Sequence, residues 1–210
     1  MHTNGRPNAE QLLAAARQGQ HECLGTLLEL YRNYLHLVAR TQIDLHLQAQ
    51  VNPSDLVQET FLEAYRDFNQ FRGQTEVELL GWLRRILLHN LGRLVEKQVR
   101  AKKRSVRRTV SLEQRLKELD KSAAKVEAAL LCHGSSPSAR AERRELAAVL
   151  ADQLARLPKS HREVIILRNL EGLSFEEVAQ RLKRSPGAVR VLWLRALDRL
   201  RQLLKREELI

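Results

Sequence analysis

Cysteine is scarce in this chain of 210 residues. Cys23 and Cys132 are far apart and lack the CxxC spacing of a redox or zinc motif. The nearby His21 and His133 do not complete a set of three or four ligands. We therefore predict neither a disulfide framework nor a metal site.

Long apolar runs are also missing. No stretch approaches the ~20 consecutive apolar residues that a membrane-spanning helix needs. The first residues contain no apolar core of the kind found in signal peptides. We predict a protein that does not enter a membrane and that works in the reducing cytoplasm.

The sequence carries no recognisable catalytic signature. The glycines are scattered and form no phosphate-binding loop, and no nucleophile stands at a known spacing from a general base. The carboxylates fall on amphipathic faces and in helix caps. We predict no enzymatic activity and no cofactor.

Alternation of apolar and polar residues, which marks a half-buried strand, is absent, whereas apolar residues recur at helical spacing in nearly every segment. This pattern predicts an all-α fold. Asn8, and Asn52 before Pro53, are typical helix starts. The predicted helices cover residues 9–19, 22–41, 53–68, 75–104, 139–156 and 158–172, followed by two more near the C-terminus.

The charge of the chain is strongly positive, with a formal net charge of +11 at pH 7. Such a charge favours a polyanionic partner, although a basic run is more often merely solvated. Seven cations occur without an acid between residues 97 and 108, and a GSSPS linker follows at 134–138. We predict two small helical domains, at 9–105 and 138–207, joined by a basic, partly helical connector at 106–137.

Residues 173–204 contain two helix starts close together. Ser174 and Glu177 form a capping box, and Ser185 precedes Pro186 as a second N-cap. Two short helices with so tight a turn indicate a helix-turn-helix. The alternative is an ordinary amphipathic hairpin with a solvated basic face.

The second of these helices has an apolar face and a mixed face. Arginine can bind phosphate or hold guanine bidentately, and exposed Val or Leu can touch thymine methyl groups. The mixed face therefore suits DNA binding. It consists of Arg190, Val191, Leu194, Arg195 and Asp198.

Leu62 lies in the middle of an otherwise polar helix face formed with Asp55, Gln58, Glu59 and Arg66. A single exposed leucine is common in soluble proteins. A leucine ringed by acidic and amide groups can equally anchor a protein partner. The residues alone leave both interpretations open.

Trp82 falls among arginines on the outer face of the helix predicted at 75–104. This combination suits base stacking together with phosphate neutralisation. In the alternative interpretation the preceding loop, with Phe71, covers the indole ring. The residues alone do not separate the two.

With these segments in place, the chain resembles the extracytoplasmic-function (ECF) group of bacterial sigma factors. Residues 55–73 are similar to the group's clamp-binding helix and its following loop, and they read DLVQETFLEAYRDFNQFRG. The promoter-melting segment resembles WLRRILLHNL at 82–91. The C-terminal domain of the group resembles LPKSHREVIILRNLEGLSFEEVAQRLKRSPGAVRVLWLRAL at 157–197. The third domain of larger sigma factors has no room here.

The resemblance implies a non-enzymatic specificity subunit that contacts the clamp helices and flap of core RNA polymerase and binds promoter DNA. It also leaves room for an anti-sigma factor. The residues implied for core binding are Asp55, Gln58, Glu59 and Leu62. The loop at 69–74 is implied to capture a flipped base, as single-strand recognition requires.

The resemblance also implies two sets of DNA-binding residues. The minus-ten element is assigned to Asn69, Phe71, Arg72, Trp82, Arg85, His89, Arg93 and Arg100. The minus-thirty-five element is assigned to Lys183, Arg184, Ser185, Arg190, Val191, Leu194 and Arg195.

The chain departs from the group in two ways. Ala188, Val191 and Leu194 stand where the group often has small or polar residues, so the group's promoter sequences do not transfer to this chain. The connector is longer than usual. Two rival functions are a stand-alone helix-turn-helix regulator and an adaptor that binds polymerase without DNA. The polar face around Leu62 argues against the regulator. The basic faces argue against the adaptor.

Overall fold

The structure is a computed structural model that describes residues 8–43, 51–102 and 137–206. Every regular element in these ranges is helical, which confirms the predicted all-α fold. The first five helices are α1 (Ala9–Arg17), α2 (His21–Glu29), α3 (Arg32–Gln42), α4 (Pro53–Asp67) and α5 (Glu76–Lys102). The last four are α6 (Pro137–Arg156), α7 (Lys159–Ile165), α8 (Phe175–Leu182) and α9 (Pro186–Arg206).

Helix starts follow the capping signals of the sequence. The Asn8 side chain accepts from the backbone N–H groups of Glu10 and Gln11, at 3.0 and 3.2 Å. The Asn52 side chain accepts from the N–H of Ser54 at 3.0 Å, and Pro53 is the first residue of α4. A cap of this kind is worth about 1 kcal/mol because it satisfies an otherwise orphaned donor.

The single helix predicted at 22–41 is wrong, because the chain forms α2 and α3 with a break between them. Tyr31 leaves the helical region, with φ −108° and ψ 4°, and its backbone N–H donates to the carbonyl of Leu28 at 3.0 Å. Its ring is fully buried. The apolar residues of both helices face the same core. Their helical spacing therefore continues through Tyr31 and does not reveal the break.

The first domain forms around the pairs α1–α2 and α4–α5, with α3 packed against both α4 and α5. Its helices bury one face each, and the buried side chains are mainly leucine. The largest fully buried side chains are Tyr31, Tyr34, Leu13, Leu24, Leu27, Leu35, Leu56, Leu79, Leu80, Leu83, Leu87 and Leu91. This packing fixes the outward faces of α4 and α5.

The second domain is built on α9, against which α6, α7 and α8 pack. A π-helical turn, Ile166–Leu170, extends α7 and buries Ile166 and Leu167. Gly172 then turns the chain toward α8 with φ +73°, a conformation that glycine adopts without strain. The predicted stop at Gly172 is thereby confirmed.

The two domains contact each other through α3 and α6, and the hydrophobic core continues from one to the other. Arg40 of α3 donates from both terminal nitrogens to the Glu163 carboxylate of α7, at 2.7 and 2.5 Å. The Asn33 amide donates to Asp152 at 2.9 Å. A bidentate, partly buried pair is more specific in geometry than an exposed one, and it fixes how the domains meet.

We expect Arg40 and Glu163 to be energetically coupled. Each side chain is 22% exposed, so a double-mutant cycle at pH 7 should give a coupling of about 1–3 kcal/mol. The hydrogen bond from Arg40 lowers the pKa of Glu163 below its ordinary 4.5. The stabilisation is therefore complete above about pH 4.5 and is lost as the pH falls through the lower, folded-state pKa.

The measurement is urea unfolding of Arg40→Met, Glu163→Gln and the double variant at several pH values. The control is the Glu29–Arg32 pair, whose side chains are 57% and 45% exposed and should couple by under ~1 kcal/mol. Strictly additive effects of the first pair at pH 7 would contradict the prediction.

Candidate functional site: the polymerase and DNA-binding surfaces

The turn between α8 and α9 has the geometry of a helix-turn-helix. Ser174 accepts from the N–H of Glu177 at 3.2 Å, and the Glu177 carboxylate accepts from the N–H of Ser174 at 2.7 Å. The bond that the carboxylate accepts from the Ser174 N–H is the largest cause that lowers the pKa of Glu177. Lys183 then adopts a left-handed conformation with φ +52°, which reverses the chain within three residues.

The start of α9 confirms its predicted cap. Ser185 precedes Pro186, and its hydroxyl accepts from the N–H of Ala188 at 3.2 Å. Lys183, Arg184 and Ser185 are all exposed. The turn therefore presents two cations beside the N-terminus of α9.

The outer face of α9 carries the side chains assigned to the minus-thirty-five element. Val191 and Leu194 are 48% and 60% exposed, and Arg190 and Arg195 are also exposed. The opposite face is buried through Val189, Ala196 and Leu200. Apolar side chains that point to solvent next to arginines can read base edges, and this role stays a prediction.

Phe175 and Glu176, at the start of α8, belong to this surface although the sequence did not indicate them. The Arg190 guanidinium lies 5.4 Å from the centre of the Phe175 ring and donates to Glu176 at 3.3 Å. Trp193 packs edge-on against the same ring. The arrangement joins residues of two helices, which helical spacing within one segment cannot reveal.

The outer face of α4 presents the residues assigned to core polymerase. Leu62 is 68% exposed, and Asp55, Gln58 and Glu59 are exposed beside it. Tyr65, 48% exposed, extends the apolar part of this face. A shallow recess brings the four residues together with Glu63, Arg66 and Arg93.

Arg93 thus borders the α4 face. The resemblance assigned it to the minus-ten set together with Trp82, Arg85 and His89, with which it shares the outer stripe of α5. Arg85, His89 and Arg93 are all exposed. Arg100 belongs to α5, and its side chain is outside those that the structure describes.

The segment after α4 combines a short 3₁₀ turn, Phe68–Gln70, with an irregular stretch over residues 71–74 that begins with Phe71 in an extended conformation. Asn69 and Arg72 are exposed, whereas Phe71 is buried. The Phe71 ring lies 5.1 Å from Trp82, and Phe68 lies 6.3 Å from it. Trp82 is therefore half-buried under the loop, as the alternative interpretation of the sequence has it, and one side of the indole is left at the surface.

Two side chains from neighbouring helices hold this loop. Arg17 of α1 donates to the carbonyl of Gly73 at 2.5 Å. The Glu78 carboxylate accepts from the N–H groups of Gln74 and Thr75, at 2.8 and 3.1 Å, and these bonds lower its pKa. The loop encloses a recess lined by Gln70, Phe71, Arg72, Gly73, Glu78, Gly81, Trp82, Arg84 and Arg85. Cations and an aromatic ring around a recess can receive a nucleotide base and its phosphate.

Comparison with known proteins identifies both domains. Residues 27–101 match the family model of sigma-70 region 2, and residues 147–200 match that of sigma-70 region 4. The sigma-H factor of Pseudomonas aeruginosa is 29% identical over 203 residues, which are 94% of this chain and 96% of that protein. The ECF sigma-E factor of Escherichia coli is 30% identical over 149 residues, 69% of each chain.

Among solved structures, CnrH in complex with the cytosolic domain of CnrY is similar at 24% identity and a TM-score of 0.32, and the match covers 95% of this chain and 99% of that one. The fold and the two matched regions define a sigma factor of the sigma-70 class. Within that class, the chain belongs to the ECF sigma factors. It recognises promoters as a subunit of RNA polymerase and initiates transcription.

Among residues 8–43, 51–102 and 137–206, no helix is long and apolar enough to cross a bilayer.

We expect Gly73→Ala to damage promoter opening. An added Cβ would lie 2.3 Å from the Phe71 ring and 2.8 Å from the Glu78 Cβ, so the ring or the loop must move. If the recess receives a base, losing that contact costs roughly 1–3 kcal/mol, or at least fivefold in opening. Permanganate reactivity of the melted bases measures the change.

Gly25→Ala is the matched control, because a Cβ at Gly25 of α2 meets no atom within 4 Å. That variant should open promoters normally. Normal opening by Gly73→Ala would show that the loop tolerates the displacement.

Proposed function

We propose that α4 binds core polymerase, that the loop at 69–74 with the outer stripe of α5 binds the melted minus-ten element, and that α9 reads the minus-thirty-five element. The observation that carries this proposal is that three outward surfaces, each chemically suited to one partner, lie on the two regions that define the family. The polar α4 face has an apolar centre, whereas the other two surfaces are basic.

The proposed functions belong to two domains. We infer boundaries at 9–105 and 138–207, supported by the matched ranges 27–101 and 147–200 and by the start of α1 at Ala9. Most of the connector at 106–137 lies outside the described residues.

Three further properties belong to the same proposal. The protein acts as a specificity subunit without catalysis of its own, because sigma factors are regulatory subunits of RNA polymerase. It works in the cytoplasm, where bacterial polymerase and DNA are found. An anti-sigma factor is a partner to test, because the resemblance to the ECF group leaves room for one.

The rival functions make different predictions. A stand-alone regulator would bind a palindrome as a dimer and would have no affinity for core polymerase. A polymerase adaptor would bind core polymerase but no promoter. Pull-down with core polymerase followed by transcription from a promoter library separates all three.

We expect the double substitution Leu62→Ala with Gln58→Ala to weaken core binding. An anchor at the centre of an interface is worth about 2 kcal/mol or more, roughly thirtyfold in affinity. Thermal stability should hardly change, because Leu62 is 68% exposed. Titration of fluorescently labelled protein with core polymerase gives the affinity.

Leu194→Ala is the control, because Leu194 is a leucine of similar exposure on the α9 surface proposed for DNA. It should leave core affinity unchanged. Equal core affinity of the Leu62 variant and the wild type would remove α4 from the interface.

Substitutions of Arg190 and Lys183 should weaken DNA binding in different ways. If Arg190 holds a guanine bidentately, Arg190→Ala costs about 1–3 kcal/mol at one base position and relaxes the preference there. Lys183, in the turn, would contact phosphate, so Lys183→Gly should weaken all sequences alike and reduce the salt slope by roughly one. Binding of the holoenzyme to a duplex library at two salt concentrations measures both.

Lys183→Gly carries an internal control for folding. Because Lys183 has φ +52°, glycine at this position should raise the free energy of unfolding by about 0.5–1 kcal/mol. Weaker DNA binding by a more stable protein would exclude misfolding as its cause. Unchanged binding would place Lys183 away from the phosphates.

A further inference from the structure

Phe175 contacts the α9 surface, yet none of the roles proposed above for that surface involves its ring. It lies at the first position of α8, half-buried against the core. Two guanidinium groups lie over its ring, those of Arg168 at 4.9 Å and Arg190 at 5.4 Å. The ring thus meets the arginine that starts the exposed face of α9.

The orientation of the Phe175 ring is itself fixed. Trp193 packs against it edge-on, with ring centres 5.6 Å apart and an interplanar angle of 76°. The Trp193 indole N–H donates to the Asn169 side chain at 2.9 Å. Arg168 is held by a hydrogen bond to the carbonyl of Leu173 at 3.0 Å. The Phe175 ring is thus packed by Trp193 at one edge and covered by Arg168, and these contacts define its orientation.

The second contact of Arg190 is weaker. Its bond to Glu176 is 3.3 Å long, and the two side chains are 58% and 61% exposed. An exposed ion pair at that distance constrains a long side chain very little. The aromatic face is the more persistent constraint, because a cation over a ring keeps its attraction without a directional hydrogen bond.

We propose that Phe175 is a specificity-determining positioning residue, which holds the Arg190 guanidinium in the orientation that reads a base of the minus-thirty-five element. This inference rests on the proposed role of Arg190. A long side chain fixed before binding loses less rotamer freedom on forming its bidentate bonds, so the gain appears in discrimination between bases. On DNA, Arg190 exchanges Glu176 for the base edge while the ring continues to support it.

The test compares Phe175→Leu with Phe175→Tyr in the full-length protein bound to core polymerase. Leucine keeps an apolar side chain in the core and removes the aromatic face, whereas tyrosine keeps the face. A promoter library randomised in the upstream element measures the preference at each base position. Loss of one exposed cation–π contact corresponds to about a two- to fivefold loss of discrimination.

We expect Phe175→Leu to relax the same single position that Arg190→Ala relaxes, and Phe175→Tyr to retain the preference. In an Arg190→Ala background, Phe175→Leu should change no preference further. If Phe175→Leu is destabilised, Phe175→Met serves instead, because methionine fills irregular core space. The Arg190 Nε–H resonance of the free protein should shift when the ring is removed.

The outcomes separate the two levels of the argument. A relaxed position in Arg190→Ala with full preference in Phe175→Leu overturns the positioning role alone. A uniform loss across all sequences in Arg190→Ala overturns base reading by Arg190, and the positioning role with it. A loss in Phe175→Leu that is uniform over the library, or that persists without Arg190, would make Phe175 a packing residue only.

Discussion

The continuous hydrophobic core that runs from α1 to α9 is the constraint on which the structure depends. Each described helix gives one face to this core, so partners can be bound only by the other face. On α4 and α9 the buried stripe fixes which residues point outward. The large apolar residues left exposed are Leu62 and Tyr65 on α4, and Val191 and Leu194 on α9. Function is thus limited to positions that packing does not use.

The contact between the domains differs in chemistry from the core within each domain. Leucines fill the first domain, whereas the α3 side of the contact also carries Asn33, His36 and Arg40. Burial lowers the pKa of His36, and the charges of Arg40 and Arg162 lower it further. Protonation of His36 therefore opposes folding, and the stability it contributes is complete above about pH 6.5 and is lost as the pH falls through the folded-state pKa. The junction is consequently more sensitive to pH and salt than the leucine core.

Much of this structure is predictable from the sequence, because the signals are local. Capping residues such as Asn52 and Ser174 fix helix starts through bonds to the next few residues, and helical spacing fixes the buried faces. The break at Tyr31 was missed because neither glycine nor proline marks it. The tyrosine ring is buried in the core at this point, a tertiary feature that the local sequence does not show.

Sites that combine helices could be predicted only in part. The sequence left Trp82 with two alternatives, and the choice depends on the distance to Phe71 across the loop. Helical spacing puts Arg93 on the outer stripe of α5. It also lines the recess beside α4, because α4 packs on α5. No sequence pattern indicated a role for Phe175, because that role depends on a contact with Arg190, fifteen residues away in sequence.

The net charge of +11 does not measure the positive charge available to bind DNA, because some arginines contact other groups of the protein. Some guanidinium groups are committed to the fold. Arg162 donates to the carbonyls of Ala155 and Leu157, and Arg181 pairs with Glu171 at 2.9 Å. These cations terminate helices and join elements, and their positive charge is neutralised or turned inward.

Other cations are exposed on the surfaces proposed for DNA, among them Lys183, Arg184 and Arg195. Arg190 stands between the two groups, because it is exposed and yet supported by Phe175. A cation free to move can neutralise any phosphate, whereas a cation held in one orientation can distinguish one base from another. In the proposed role of α9, affinity and specificity therefore divide according to how tightly the fold holds each guanidinium, which the amino-acid composition does not show.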